Sequence, residues 1–89
     1  MSHDATVAEE EYLQTIFWLM EAGLPITGAN IARAMQLSPP TVHEMIKRLE
    51  RDGYVTRSDD KILHLTEDGR AEAEQITRRH RMIERFLTD

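Results

Sequence analysis

The sequence contains no cysteine and no apolar stretch long enough to cross a membrane. Without cysteine the chain has neither a disulfide framework nor a thiolate zinc site, so any metal ion would have to use histidine and carboxylate ligands. A membrane span needs about 18 or more consecutive apolar residues. The polar N-terminus also lacks the apolar core of a signal peptide. These absences predict a cytoplasmic protein that does not enter a membrane.

Positive charge is missing from the beginning of the chain. Residues 1–25 include five acidic residues and no lysine or arginine, whereas residues 26–61 carry six basic residues against five acidic ones. The net charge of the whole chain is −5. Because non-specific affinity for nucleic acid comes from cations that neutralise phosphates, this balance argues against an indiscriminate nucleic-acid binder. It permits DNA binding through one local surface.

The chain is also short and poor in glycine, with 89 residues and four glycines. This length suits one small domain with one hydrophobic core. The sequence shows no glycine-rich phosphate loop, no nucleophile beside its base and no complete set of metal ligands, so an enzyme is not expected.

A helix is predicted between Ser38 and Gly53. Ser38 is a good N-cap, two prolines follow where a missing N–H costs little, and Gly53 supplies the stop. On a helical wheel the apolar side chains share one face, which is predicted to be buried: Val42, Met45, Ile46 and Leu49. The other side carries hydrogen-bonding and cationic groups: Thr41, His43, Glu44, Lys47, Arg48 and Arg51. Such a face alone is most often merely solvated.

The flanking segments make this helix part of a larger pattern. Upstream, Thr27 caps a short amphipathic helix that reaches the next one through residues 36–38, as in a helix-turn-helix. Downstream, two short β-prone runs on either side of residues 58–60 predict a hairpin. Its tip could place Arg57 or Lys61 beside a DNA phosphate, although either residue is as easily explained as part of a plain hairpin turn. The first helix begins with a capping box at Thr6 and ends near residue 22.

Together these elements predict a mainly α domain with a small β-hairpin, a winged helix-turn-helix over residues 1–89. The helix-turn-helix lies at about 27–53, the wing at about 54–65 and the C-terminal helix at about 66–87. In this motif the second helix enters the major groove with its N-terminal residues nearest the base edges.

Three further groups have simple structural interpretations. The acidic run at residues 9–11 is predicted to be a solvated helix start, and Trp18 is predicted to lie in or beside the core. His80 and Glu84 are four residues apart on the last helix, so both could reach one ion, although a His–Glu surface pair is the simpler interpretation.

The chain resembles the metal-dependent repressors of the diphtheria toxin repressor family, which includes iron-dependent and manganese-dependent regulators. Four segments between Glu10 and Asp89 carry the resemblance: EEYLQTIFWL, IARAMQLSPPTVHEMIKRLERDGYV, LTEDGR and RRHRMIERFLTD. The resemblance implies the DNA-binding domain of a transcriptional repressor that depends on Mn²⁺ or Fe²⁺ and controls metal homeostasis. It also implies a palindromic double-stranded operator and a homodimer in the intact protein.

For DNA binding, the resemblance implies that four residues lie at positions where family members contact DNA: Ser38, Pro40, Thr41 and His43. Glu44 stands where some members have an amide residue, so its base preference is expected to differ.

For metal binding, the resemblance implies Glu11, His80 and Glu84 as ligands. Glu11 stands where iron-type members have Met and manganese-type members have Asp, so its hard oxygen favours Mn²⁺. Gln14 stands where manganese-type members use a carboxylate, which weakens that preference. Three ligands are too few for a regulatory metal, and the family's dimerisation domain is expected to be absent from this chain.

Two other functions stay open on the sequence. The chain could be a winged-helix DNA-binding regulator that needs no metal, with Glu11, His80 and Glu84 as surface groups. It could instead be a winged helix that binds protein, which the acidic net charge would suit.

Overall fold

The computed structural model describes the backbone of residues 5–88 and the side chains of residues 5–79. This part contains the helices α1 (Val7–Glu21), α2 (Gly28–Met35), α3 (Pro39–Arg51) and α4 (Glu67–Thr88), with strands β1 (Val55–Arg57) and β2 (Leu63–Leu65) between α3 and α4. The two strands form an antiparallel hairpin. The predicted winged helix-turn-helix is therefore confirmed. Within this part of the chain no helix is both long and apolar enough to span a membrane.

Helix α1 begins with the predicted capping box. Thr6 Oγ1 accepts a hydrogen bond from the Glu9 N–H at 3.1 Å, and the Glu9 carboxylate accepts from the Thr6 N–H at 3.0 Å. The Glu9 side chain is fully buried, so the predicted solvated helix start was wrong for this residue. The reason is its position, since Glu9 lies one turn before the buried Leu13 and shares its face.

The core lies where α1, α2, α3, α4 and the hairpin meet. Its largest fully buried aliphatic side chains are Leu13, Ile16, Ile31, Leu49 and Leu63. On α3 the predicted face is buried, except that Met45 is only partly covered. Trp18 was predicted to lie in or beside the core, but it is 54% exposed. Two residues after Ile16, it points to the opposite side of α1.

The turn of the helix-turn-helix is as short as predicted. Gln36 ends α2 with a left-handed backbone (φ 57°), a conformation that satisfies the last carbonyls of a helix. The Leu37 N–H donates to the Ala32 carbonyl at 3.0 Å, and Ser38 then caps α3. Only residues 36–38 separate the two helices.

We call the β1–β2 hairpin the wing. Hydrogen bonds at its base join it to the segments before and after it in the chain. The Leu63 N–H donates to the Ile26 carbonyl at 2.8 Å, just before α2. The Thr66 N–H donates to the Tyr54 carbonyl at 3.0 Å, and the Thr66 hydroxyl donates to the Gly53 carbonyl at 2.6 Å. Thr66 also caps α4, as predicted, by accepting from the Gly69 N–H at 3.0 Å. These bonds fix the wing beside α3.

Candidate nucleic-acid interface

The side of α3 that faces away from the core is exposed along its whole length. All the predicted DNA-contacting side chains of this helix and its cap are exposed: Ser38, Pro40, Thr41, His43, Glu44, Lys47, Arg48 and Arg51. We call this set the outer face of α3. Because Val42, Ile46 and Leu49 are buried on the other side, the helix cannot rotate without losing its core contacts.

The first turn of α3 presents hydroxyl groups in place of backbone amides. Ser38 Oγ lies 2.8 Å from Thr41 Oγ1 and accepts from the Thr41 N–H at 3.4 Å. Pro39 and Pro40 occupy the first two helical positions and have no N–H to donate. Helix N-termini commonly bind phosphate through free N–H groups. This helix start instead offers two hydroxyls and two rigid rings.

Cations follow along the same face. Arg51 Nε lies 3.6 Å from the Asp52 carboxylate, although Arg51 is 72% exposed. Lys47 and Arg48 form no hydrogen bond or ion pair with any described side chain. Among the described side chains, Lys47 and Arg48 therefore have no partner that a phosphate would have to displace, and solvent weakens the pair made by Arg51.

The wing places Arg57 against α3. Arg57 Nη2 and Glu50 Oε1 are 2.9 Å apart, and both side chains are about two-thirds buried, with 30% and 35% exposure. Any phosphate that bound Arg57 would have to compete with Glu50. No local signal in the sequence predicts this pair, because its members lie on different elements and only the tertiary fold brings them together.

The tip of the wing carries more negative than positive charge. Lys61 is exposed and has a left-handed backbone (φ 66°), which suits a tight turn. The Ser58 hydroxyl and then the Ile62 N–H donate to the Asp60 carboxylate, and these hydrogen bonds lower the pKa of Asp60. Asp60 is therefore ionised at neutral pH, and Asp59 lies next to it. Lys61 is thus in a poorer setting for a phosphate than the cations of α3.

Grooves run along both sides of α3. One cleft of about 350 Å³ lies toward the wing, where His43, Ile46 and Lys61 are among its lining residues. A larger groove of about 750 Å³ lies toward the first turns of α1, and its lining includes Glu11 and Glu44. The outer face of α3 therefore borders both grooves, with Thr41, Glu44 and Arg48 on the side of α1 and His43 on the side of the wing.

Of the predicted metal ligands, Glu11 is exposed on α1, whereas the side chains of His80 and Glu84 lie outside the described residues. Glu10, next to Glu11 on α1, pairs with Arg79, next to His80 on α4, with Glu10 Oε2 3.5 Å from Arg79 Nη2. The two helices therefore lie side by side at this point. Among the side chains of residues 5–79, no three His, Asp or Glu residues are grouped to hold a metal. The exposed Glu11 carboxylate fits a hard cation, but a complete site would need His80 and Glu84.

Two family models match consecutive parts of the chain. Residues 4–63 match the model described as iron dependent repressor, N-terminal DNA binding domain. Residues 66–89 match the model described as iron dependent repressor, metal binding and dimerisation domain. The boundary between the matches falls where Thr66 caps α4.

Two sequence relatives are repressors. The diphtheria toxin repressor of Corynebacterium efficiens is 44% identical over 86 residues, which are 97% of this chain and 37% of that protein. The iron-dependent repressor IdeR of Mycobacterium bovis is 45% identical over 80 residues, which are 90% of this chain and 35% of that protein. The chain thus spans little more than a third of the length of these relatives.

A solved structure shows the same fold. The manganese regulator SloR matches with a TM-score of 0.76 and 37% sequence identity, over 89% of this chain and 37% of that one. The match of residues 4–63 contains α1, the whole helix-turn-helix and β1. This chain, whose exposed α3 lies within that match, belongs to the iron-dependent repressor family.

Proposed function

We propose that this protein binds double-stranded DNA through α3, as part of a transcriptional repressor that depends on Mn²⁺ or Fe²⁺ and controls metal homeostasis in the cytoplasm. The observation that carries the proposal is the outer face of α3, which presents hydroxyls at its start and, beyond them, the exposed cations Lys47, Arg48 and Arg51. The match of residues 4–63 to a DNA-binding domain supports the same conclusion.

The residues of the interface divide into two roles. Ser38, Thr41 and His43 lie at the start of α3, the part that faces base edges in a helix-turn-helix. Lys47, Arg48 and Arg51 neutralise phosphates, and Arg57 and Lys61 add weaker contacts from the wing. In this proposal the repressor acts as a homodimer on a palindromic operator, and each copy reads one half-site.

The metal ligands in this chain are Glu11, His80 and Glu84. When bound, the metal supplies a positive charge that ties α1 to α4, and an oxygen ligand at Glu11 favours Mn²⁺. The relatives include both an iron-dependent repressor and a manganese regulator. This chain alone binds the ion weakly, because three imidazole and carboxylate groups leave its coordination incomplete.

DNA binding measured at two salt concentrations, with and without Mn²⁺ or anaerobic Fe²⁺, tests this function. We expect affinity for a selected palindromic duplex to fall steeply with salt, because binding releases counterions from phosphates, and to rise when metal is added. A DNA affinity that does not change when metal is added would favour the alternative of a regulator that needs no metal. Failure to bind any duplex at low salt would favour the protein-binding winged helix.

Single cations on α3 should contribute to affinity without contributing to sequence preference. Replacing Lys47 or Arg51 with alanine is expected to weaken binding to all duplexes similarly and to reduce the salt slope by about one unit each. Arg70→Ala is the matched control, because Arg70 lies on α4 and pairs with Glu74 at 3.7 Å. Affinity titrations across a salt series measure the slope. A slope that stays unchanged in both α3 variants would show that these residues do not contact DNA.

Loss of the Glu11 carboxylate should weaken metal binding. Glu11→Gln is expected to reduce Mn²⁺ affinity by at least about tenfold, since even outer-shell substitutions at metal sites cost 10- to 100-fold. Calorimetric titration measures the change, with Glu67→Gln, an exposed carboxylate on α4, as the control. Unchanged Mn²⁺ affinity in Glu11→Gln would remove Glu11 from the ligand set.

A further inference from the structure

One acidic side chain interrupts the outer face of α3. Glu44 lies in the second turn and is exposed, with Thr41 one turn before it and Arg48 one turn after it. Its carboxylate makes no hydrogen bond or ion pair with any residue in the described part of the chain. The described part of the fold therefore does not use this group, and its charge is available to a partner.

A carboxylate at this position is unfavourable for general DNA binding. Phosphates are negative, so an acidic group on a helix that enters the major groove lowers affinity unless it meets a hydrogen-bond donor. In B-DNA the donors lie on the bases, whereas the backbone offers only acceptors. Glu44 is therefore suited to the base edges and not to the phosphates.

The pattern of groups in the major groove then selects one base. An ionised carboxylate only accepts hydrogen bonds. Guanine presents two acceptors, thymine presents an acceptor and a methyl group, and adenine presents its amino donor beside the acceptor N7. Cytosine presents its N4 amino group without an acceptor beside it on the same base. The acceptor atoms of guanine, thymine and adenine repel a carboxylate, whereas cytosine offers it a hydrogen-bond donor alone.

We propose that Glu44 is a specificity-determining residue that accepts a hydrogen bond from the N4 amino group of one cytosine in each half-site. The inference rests on the proposed function, because it requires α3 to lie in the major groove. Thr41 on the same face lies nearer the helix start, and the exposed cations Lys47 and Arg48 follow Glu44 by three and four residues. These cations offset the repulsion between Glu44 and the DNA backbone.

Selection from a library of randomised duplexes in the presence of Mn²⁺ tests the inference. The unmodified protein is expected to enrich cytosine at one fixed position of each half-site. Glu44→Gln keeps the shape and adds an amide donor, and an amide pairs with adenine N6 and N7. This variant is expected to enrich adenine at the same position and to keep the other positions. Glu67→Gln, which removes an exposed carboxylate from α4, should leave every position unchanged.

Competition titrations with single-base variants of the selected duplex give the magnitude. For the unmodified protein, changing that cytosine to adenine is expected to reduce affinity by about 5- to 150-fold, the discrimination of a good base contact. For Glu44→Gln the order of the two duplexes should reverse. Total affinity is a poor readout, because removing a negative charge also reduces the repulsion from the phosphates of every duplex, whatever its sequence.

The outcomes separate this inference from the proposed function. If the unmodified protein enriches no sequence and shows no salt-dependent binding, the proposed function itself fails. If it enriches a sequence, but neither Glu44→Gln nor Glu44→Ala changes the base preferred at any position, the cytosine contact is wrong while DNA binding stands. Circular dichroism of both variants confirms that folding is intact, which the exposure of Glu44 leads us to expect.

Discussion

Replacing Gly69 with alanine is expected to destabilise the domain by roughly 3 kcal/mol, at the upper end of the cost of overpacking. A Cβ atom on Gly69 would overlap the Tyr54 carbonyl oxygen and would lie 2.9 Å from its carbonyl carbon. Both are backbone atoms at the base of the wing, so they cannot move aside as the end of a side chain can. The same carbonyl accepts the Thr66 N–H, and that bond would be disturbed as well.

The same substitution at Gly28 is expected to raise the stability of the domain, so Gly28→Ala is the matched control. A Cβ atom on Gly28 would meet Ile46 Cδ1 at 3.6 Å, an ordinary van der Waals contact. Gly28→Ala in α2 should therefore stabilise the domain by about 0.4–1 kcal/mol, because alanine restricts the unfolded chain. Urea unfolding followed by circular dichroism measures both variants. A Gly69→Ala protein as stable as the unmodified one would show that α4 does not approach the wing this closely.

A second large effect is expected where α3 meets the core. Leu49 is fully buried, and its carbonyl accepts the Tyr54 N–H at 2.9 Å at the start of the wing. Leu49→Ala is expected to cost about 2–5 kcal/mol, because it removes buried methyl groups and leaves a cavity. Since small domains are stable by only about 5–15 kcal/mol, the variant should be partly unfolded at modest urea concentrations.

Leu24 provides the control with the same chemical change. Leu24 is 52% exposed, so Leu24→Ala should alter stability by less than about 0.5 kcal/mol. The difference between the two urea midpoints measures the contribution of the α3 core face. Equal midpoints would contradict the burial of Leu49. DNA binding should be lost in Leu49→Ala only to the extent that the protein unfolds, because Leu49 faces away from the outer face of α3.

Local signals in the sequence were sufficient for the elements and their order. Thr6, Thr27, Ser38 and Thr66 each cap the helix that follows, as their positions predicted. Such signals act over three or four residues, so they are visible without knowledge of the fold. The exposed face of α3 followed from the same reasoning, since helical periodicity separates its apolar and polar sides.

Contacts between distant elements were not predictable in this way. The burial of Glu9 depends on the packing of α1, and the pairing of Glu50 with Arg57 depends on how the wing folds back onto α3. Gly69 offered a partial signal, because glycine within a helix is less favourable than alanine. The sequence could not show that the approaching group was the Tyr54 carbonyl.

The hydrogen bond from the Leu63 N–H to the Ile26 carbonyl has a mechanical consequence. It joins β2 to the segment before α2, so the wing is held by backbone bonds to the beginning as well as the end of the helix-turn-helix. A displacement of α1 relative to this unit would therefore turn the unit as a rigid body, so that α3 and the wing move together without bending of the wing. If the protein acts as the proposed homodimer, a small rotation of each unit would change the distance between the two α3 helices, whereas two half-sites on a duplex are a fixed distance apart.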